Sequence, residues 1–163
     1  MPHPTTRRKL SWIARTQCSG ALASVLSSVV VAACSAREAR TAFAGVNAAS
    51  QWVWGRHAKR HTRPSWRYTA VGYLIHHASS LLWAGLFEGW NLRHPARGPV
   101  QAAGRSIAVA SAACLVDYTV TPQRFRPGFE RHISRSSIAA VYAGFALGLF
   151  AGALLLERTA RRG

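Results

Sequence analysis

The stretch Tyr68-Thr-Ala-Val-Gly-Tyr-Leu-Ile-His-His-Ala-Ser-Ser-Leu-Leu-Trp-Ala-Gly-Leu-Phe-Glu-Gly-Trp90 decides how the rest of the chain is read. From Thr69 to Phe87 it runs nineteen residues without Lys, Arg, Asp, Glu or Pro, close to the roughly 20 a membrane-spanning helix needs. Two histidines sit at its middle and a carboxylate at its end. On a helix, Tyr73, His77, Ser80, Ala84 and Glu88 fall on one face. Polar groups in hydrocarbon need internal partners, so this stripe is expected to face other helices rather than lipid.

Working outward, 163 residues leave room for one domain. The composition is 49% hydrophobic, yet mean hydropathy is near zero. That average conceals a segregation. The 21 basic residues, against 5 acidic ones, flank long apolar runs instead of forming a basic face on a soluble domain. The formal charge of +16 therefore does not point to nucleic acid. Cys18, Cys34 and Cys114 are odd in number, contain no C-x-x-C pair and lie in apolar runs. They read as small buried hydrophobes, implying neither a disulfide framework nor a zinc site.

A basic arm, residues 1–15, carries Arg7, Arg8, Lys9 and Arg15, and a first span follows over Thr16–Ala36, twenty-one uncharged residues. Its Gly20, Ser24, Ser28 and Ala32 recur every fourth position, a small-xxx-small face that admits a close helix neighbour. Thr6-Arg7-Arg8-Lys9-Leu10 has a faint twin-arginine shape, and Val31-Ala-Ala-Cys34 that of a lipoprotein box. Retention of the first span is expected over cleavage, because such four-residue matches arise cheaply. Residues 37–67 form a loop rich in Trp and Arg, read as lying at the bilayer surface or folding back on the bundle. Trp12, Trp52, Trp54, Trp66 and Trp90 all fall outside or at the ends of apolar runs, as interfacial tryptophans do. His57 and His61 stand at i, i+4, but in a basic run a solvated face is the expectation.

The opening stretch supplies a second span, residues 69–88. A third, 100–121, reaches full length only if Arg105 snorkels to the headgroups, since just eleven residues separate Arg105 from Asp117. On it Ser106, Ala110, Ala113 and Asp117 share a face. The fourth span, 136–156, carries Ala140, Gly144, Gly148 and Gly152 at every fourth position. A helix in water loses about 1 kcal/mol per glycine, so this ridge predicts tight helix packing. Its partner is left open between the first span, the second span and another copy.

The expected fold is thus all-α, a bundle of four transmembrane helices in a bacterial inner membrane. With four spans, 10 basic residues lie on the side of the termini and 11 on the other. Those totals do not decide orientation. The four basic residues before the first span, against Arg37 and Arg40 soon after it, favour cytoplasmic termini.

Three phrases, Asn47-Ala-Ala-Ser-Gln-Trp-Val-Trp-Gly55, Thr69–Ala84 leading to Glu88, and Val116–Glu130, resemble a family of small, uncharacterised bacterial membrane proteins. The resemblance spans roughly residues 44–149. It implies an integral four-helix protein and no activity that could be carried over. Gln51 stands where that pattern leads one to expect histidine.

Tyr73, His76, His77, Ser80, Glu88 and Asp117 form the intramembrane polar set. Ionisable groups at this depth cost about 2.5–3.5 kcal/mol each on insertion scales, so each is expected to be paired. Adjacent His76 and His77 project roughly 100° apart, which disfavours one metal ion between them. Glu88, followed by Gly89, Trp90 and Asn91, is expected near headgroup water. No G-x-S-x-G, H-E-x-x-H or P-loop occurs, so neither catalysis nor a cofactor is expected. Two roles remain. The first is a structural or accessory membrane protein assembling through its small-residue faces, with itself or a larger membrane partner, its basic loops near anionic headgroups. The second is a small transporter or proton conductor using His77 and Asp117.

Overall fold

The computed structural model describes residues 10–162, with side chains as far as Thr159. Arg7, Arg8 and Lys9, with the twin-arginine-like phrase, lie outside the described residues, as do the side chains of Arg161 and Arg162. Among the described residues there is no strand, and 83% of them are helical. Four long helices dominate: α1, Trp12–Glu38; α4, Val71–Arg93; α5, Pro99–Leu115; and α6, Arg135–Arg162. Helices α1 and α6 overrun the expected spans 16–36 and 136–156 at both ends, because the polar ends extend the helix beyond its uncharged core. Helix α4 starts two residues inside the expected 69–88 and runs on to Arg93, and α5 stops at Leu115, short of the expected 121, where a π turn takes over. Ser11 caps α1 by accepting from the Ala14 N–H at 3.2 Å. Pro99 opens α5 at the position where its missing N–H costs nothing. Glu38, at the end of α1, accepts from the Ser134 N–H at 2.5 Å and from the Ser137 hydroxyl, fixing the start of α6.

Helix α1 is the centre of the packing, with α6 on one side and α4 on another, while α5 packs mainly on α6. The glycine ridge of α6 explains the α1–α6 crossing. A Cβ on Gly148 would collide with the Ala23 backbone, and one on Gly152 would stand 2.6 Å from Ser19 Cα. Gly144 lies against Val30. The partner left open in the sequence is therefore α1, which meets the ridge through Ser19, Ala23 and Val30. Ala140, the fourth member expected, is exposed. Gly20 of the expected α1 row serves the other neighbour, where a Cβ would stand 2.7 Å from Leu81 and 3.2 Å from Ala84 of α4.

Among the described residues three helices are long and apolar enough to cross a membrane: Trp12–Glu38, Pro99–Val120 and Arg135–Thr159. This inverts the expectation. The third span, expected to depend on a snorkelling Arg105, qualifies, whereas α4 is long enough but does not qualify on apolarity. His76, His77, Ser79, Ser80 and Glu88 are what lower it. Arg105 is buried and its guanidinium reaches the turn after α4, donating to Asn91 Oδ1 at 3.0 Å and to the His94 carbonyl and lying over the Trp90 ring.

Residues 39–67 take the second of the two arrangements expected for them, folding back as a helical cap. Helix α2, Phe43–Ala49, the single turn α3, Gln51–Trp54, and a 3-10 segment, Gly55–Arg60, cover one end of the bundle. Asn47 is wholly buried and holds the cap together, donating to the His61 and Arg63 carbonyls at 2.8 and 2.9 Å and accepting from Thr69. Gly72 lets α4 touch the Val46 carbonyl. The connector between α5 and α6 joins this cap: Gln51 donates to the Arg126 carbonyl at 2.5 Å, and Gly128, at φ 90°, fits against the Ala48 carbonyl. That positive φ favours glycine.

Candidate functional site

A cavity of about 60 Å³ lies where the cap meets the bundle. Ser27 of α1, His76 and Ser80 of α4, Asp117 at the end of α5 and Tyr142 of α6 line it, with Trp52 from the cap and Phe125 from the connector. Trp52 and Phe125 meet edge to face, 5.6 Å between ring centres, on the cap side. All three phrases singled out in the sequence thus reach one site, through Trp52, His76 and Asp117.

Two polar pairs organise it. The Ser27 hydroxyl donates to the Ala23 carbonyl at 2.6 Å, and its Oγ lies 2.8 Å from His76 Nε2. A hydroxyl has one proton, so with that proton on the carbonyl, Oγ accepts from Nε2–H. Opposite, the Tyr142 hydroxyl donates to Asp117 Oδ2 at 2.5 Å. Asp117 stands in a wider π turn, Val116–Val120, closed by Thr121 N–H on the Val116 carbonyl at 2.9 Å. Such turns change the direction in which a helix end presents its side chains.

The sequence pointed to His77, but the structure places His76 at the cavity. The 100° between neighbours on a helix decides this. His77 instead stacks on Tyr73, ring centres 5.9 Å apart, and its buried Nδ1 has no hydrogen-bond partner among the described residues. Ser80 lies on the buried face and donates to the His76 carbonyl at 2.8 Å. Ser106, Ala110 and Ala113 share the inward side of α5, as expected.

Glu88 differs most from expectation. It is 0% exposed, not in headgroup water. Arg15 Nε donates to Oε2 at 2.8 Å, Nη2 forms an ion pair with the same oxygen at 2.8 Å, and the Ser19 hydroxyl donates to Oε1 at 2.5 Å. Nothing in the local sequence named Arg15 as the partner, 73 positions away. Between this pair and His76 runs a seam of small hydroxyls on the α1–α4 interface, Ser19, Ser24, Ser27 and Ser80, all buried. The Ser24 hydroxyl has no hydrogen-bond partner among the described residues.

His57 and His61 come to no shared site; His61 stacks on Tyr68, ring centres 4.3 Å apart. Cys18, Cys34 and Cys114 are half-buried and unpaired. Among the described residues no group of three His, Cys, Asp or Glu could hold a metal ion. No family model matches the chain, and neither a curated protein nor a solved structure matches it.

Proposed function

We propose that the chain is a four-span integral membrane protein of the bacterial inner membrane, with both termini cytoplasmic, that transfers protons through the His76–Asp117 cavity and along the α1–α4 interface. Helix α4 is the fourth span in this reading. Its Leu74, Leu82 and Leu86, 62%, 65% and 58% exposed, form an apolar face opposite the buried Ser80 and Glu88, the division expected between lipid and bundle.

One observation carries the functional part: an imidazole and a carboxylate from different helices, His76 and Asp117, line one cavity. Each group can bind and release a proton, and each is already hydrogen-bonded to a hydroxyl, Ser27 and Tyr142. Size selects protons over a solute. A cavity of about 60 Å³ has room for a few waters at about 10–15 Å³ each, far below the roughly 300–1,000 Å³ of small-molecule sites. The serine seam and Glu88 continue the polar line away from the cap.

The test is proton flux into liposomes containing the purified protein, driven by an imposed potential and read by an internal pH dye. His76→Asn and Asp117→Asn should abolish flux above the empty-liposome leak, while His77→Asn should retain it. Equal flux in all three variants would remove the proposal.

The accessory reading keeps one specific support, displaced from where the sequence put it. The ridge of Gly144, Gly148 and Gly152 is covered by α1, but Gly104, Ala108 and Ala112 of α5 form an exposed row of small residues. Gly104 faces open space. If the chain assembles with a copy or a larger membrane partner, Gly104→Ile should abolish association in a membrane two-hybrid assay; unchanged association would exclude this row.

A further inference from the structure

On the outer side of the cap, away from the cavity, Arg56 and Lys59 of the 3-10 segment meet Arg124 and Arg131 of the α5–α6 connector around a second pocket of about 440 Å³. Gln51, Gln123 and Gly55 complete its lining. No carboxylate is among these residues. Four cations from two separate segments therefore converge on one volume with only amide groups between them. Like charges held together in this way repel, and the arrangement is relieved by an anion.

We propose that this pocket binds a phosphate-bearing anion. Three of the four cations are arginines, whose planar forks match phosphate oxygens two at a time, and the lysine adds a compact charge. A chloride or a single carboxylate would offset one charge and offer few acceptors. A phosphate offers up to two charges and several oxygens to donors arriving from both segments. The volume falls in the lower part of the roughly 300–1,000 Å³ range of small-molecule sites, larger than a bare ion needs, so a group attached to the phosphate is accommodated. The Gln51–Arg126 hydrogen bond already ties the two segments beside the pocket, so the anion would bind a formed surface. Either a lipid headgroup or a soluble phosphate compound carries the required chemistry.

The test uses the full chain in neutral detergent, with intrinsic-fluorescence melting as the readout. Inorganic phosphate is titrated in one arm and short-chain phosphatidylglycerol in the other, each at ionic strength matched with chloride. Saturable stabilisation by phosphate identifies a soluble source, and saturation by the lipid alone identifies a headgroup; either supports the site. Arg124→Gln with Arg131→Gln should weaken that response at least about ten-fold, because charge-assisted contacts are lost. Arg60→Gln with Arg63→Gln, outside the pocket on the same cap, should leave it unchanged. Without ligand the Arg124/Arg131 variant should melt no lower than the parent, since repulsion is relieved and both side chains are exposed. An equal loss from both pairs, or stabilisation that chloride reproduces, would overturn the proposal.

Discussion

Arg15 reaches across from the start of α1 to grip the carboxylate of Glu88 near the end of α4, two nitrogens on one oxygen at 2.8 Å. Glu88 is wholly enclosed, while Arg15 is 18% exposed. Removing one member of a buried pair leaves an uncompensated charge, at a cost of about 3–5 kcal/mol. Replacing both with apolar residues often restores stability, because neither charge then has to be desolvated.

Glu88→Leu alone should therefore lower the stability of the detergent-solubilised protein by about 3 kcal/mol or more. The double variant Arg15→Leu/Glu88→Leu should recover most of that loss. Unfolding followed by far-UV circular dichroism checks both. A double variant as unstable as the single one would mean that Ser19 and the surrounding packing, not the charge pair, set the cost.

The two glycine rows separate packing from propensity. At Gly148 an added methyl meets the Ala23 backbone, which cannot rotate away, so Gly148→Ala should destabilise the bundle despite the better helix propensity of alanine. At Gly104 nothing lies within 4 Å of an added methyl, so Gly104→Ala should stabilise by up to about 1 kcal/mol. Opposite shifts in the melting midpoint are the expected result; shifts of the same sign would contradict the α1–α6 crossing.

How far the sequence reached follows from the range of each interaction. The long helices were legible because apolar runs and small-residue spacing are local signals. The inward face of α5 was legible for the same reason, from Ser106, Ala110 and Ala113. Partner choice was not local. Arg15 with Glu88 and Tyr142 with Asp117 are joined only after the helices cross. The choice between His76 and His77 turned on 100° of rotation that no composition window resolves. Folding back was one of two arrangements open to residues 37–67, and the choice was hidden because the cap's order comes from Asn47 binding backbone carbonyls of His61 and Arg63, not from an apolar run. Apolarity also ranks a helix without regard to where its polar groups point. Polar groups that α4 buries against α1 lower its hydropathy as much as exposed ones would.

In the α5–α6 connector, against the cap, His132 gives a pH dependence outside the membrane-spanning helices. Burial pushes its pKa below the usual 6.5, only partly offset by the Lys59 carbonyl that its ring contacts at 3.0 Å. The folded protein therefore holds this ring neutral in a range where the unfolded chain would protonate it. Unfolding takes up a proton there, so stability is present above pH 6.5 and is lost as pH falls from 6.5 through the lowered value. The melting midpoint should fall between pH 7.5 and 5, and His132→Gln should reduce that slope. An unchanged slope would assign the dependence to other groups.

The Tyr142–Asp117 bond distinguishes a structural clasp from a working group. Tyr142→Phe removes the donor and leaves the carboxylate facing the cavity without it, at an expected cost of about 1–3 kcal/mol. Asp117→Asn keeps an acceptor oxygen for the same hydroxyl, so it should cost less. If the pair serves only to join α5 to α6, proton flux across the variants should follow stability, with Tyr142→Phe the more impaired. If Asp117 exchanges protons, the order reverses: Asp117→Asn is the more stable variant and the one without flux, while Tyr142→Phe retains a titratable carboxylate and part of the flux. Measuring melting and flux on the same two preparations separates the cases.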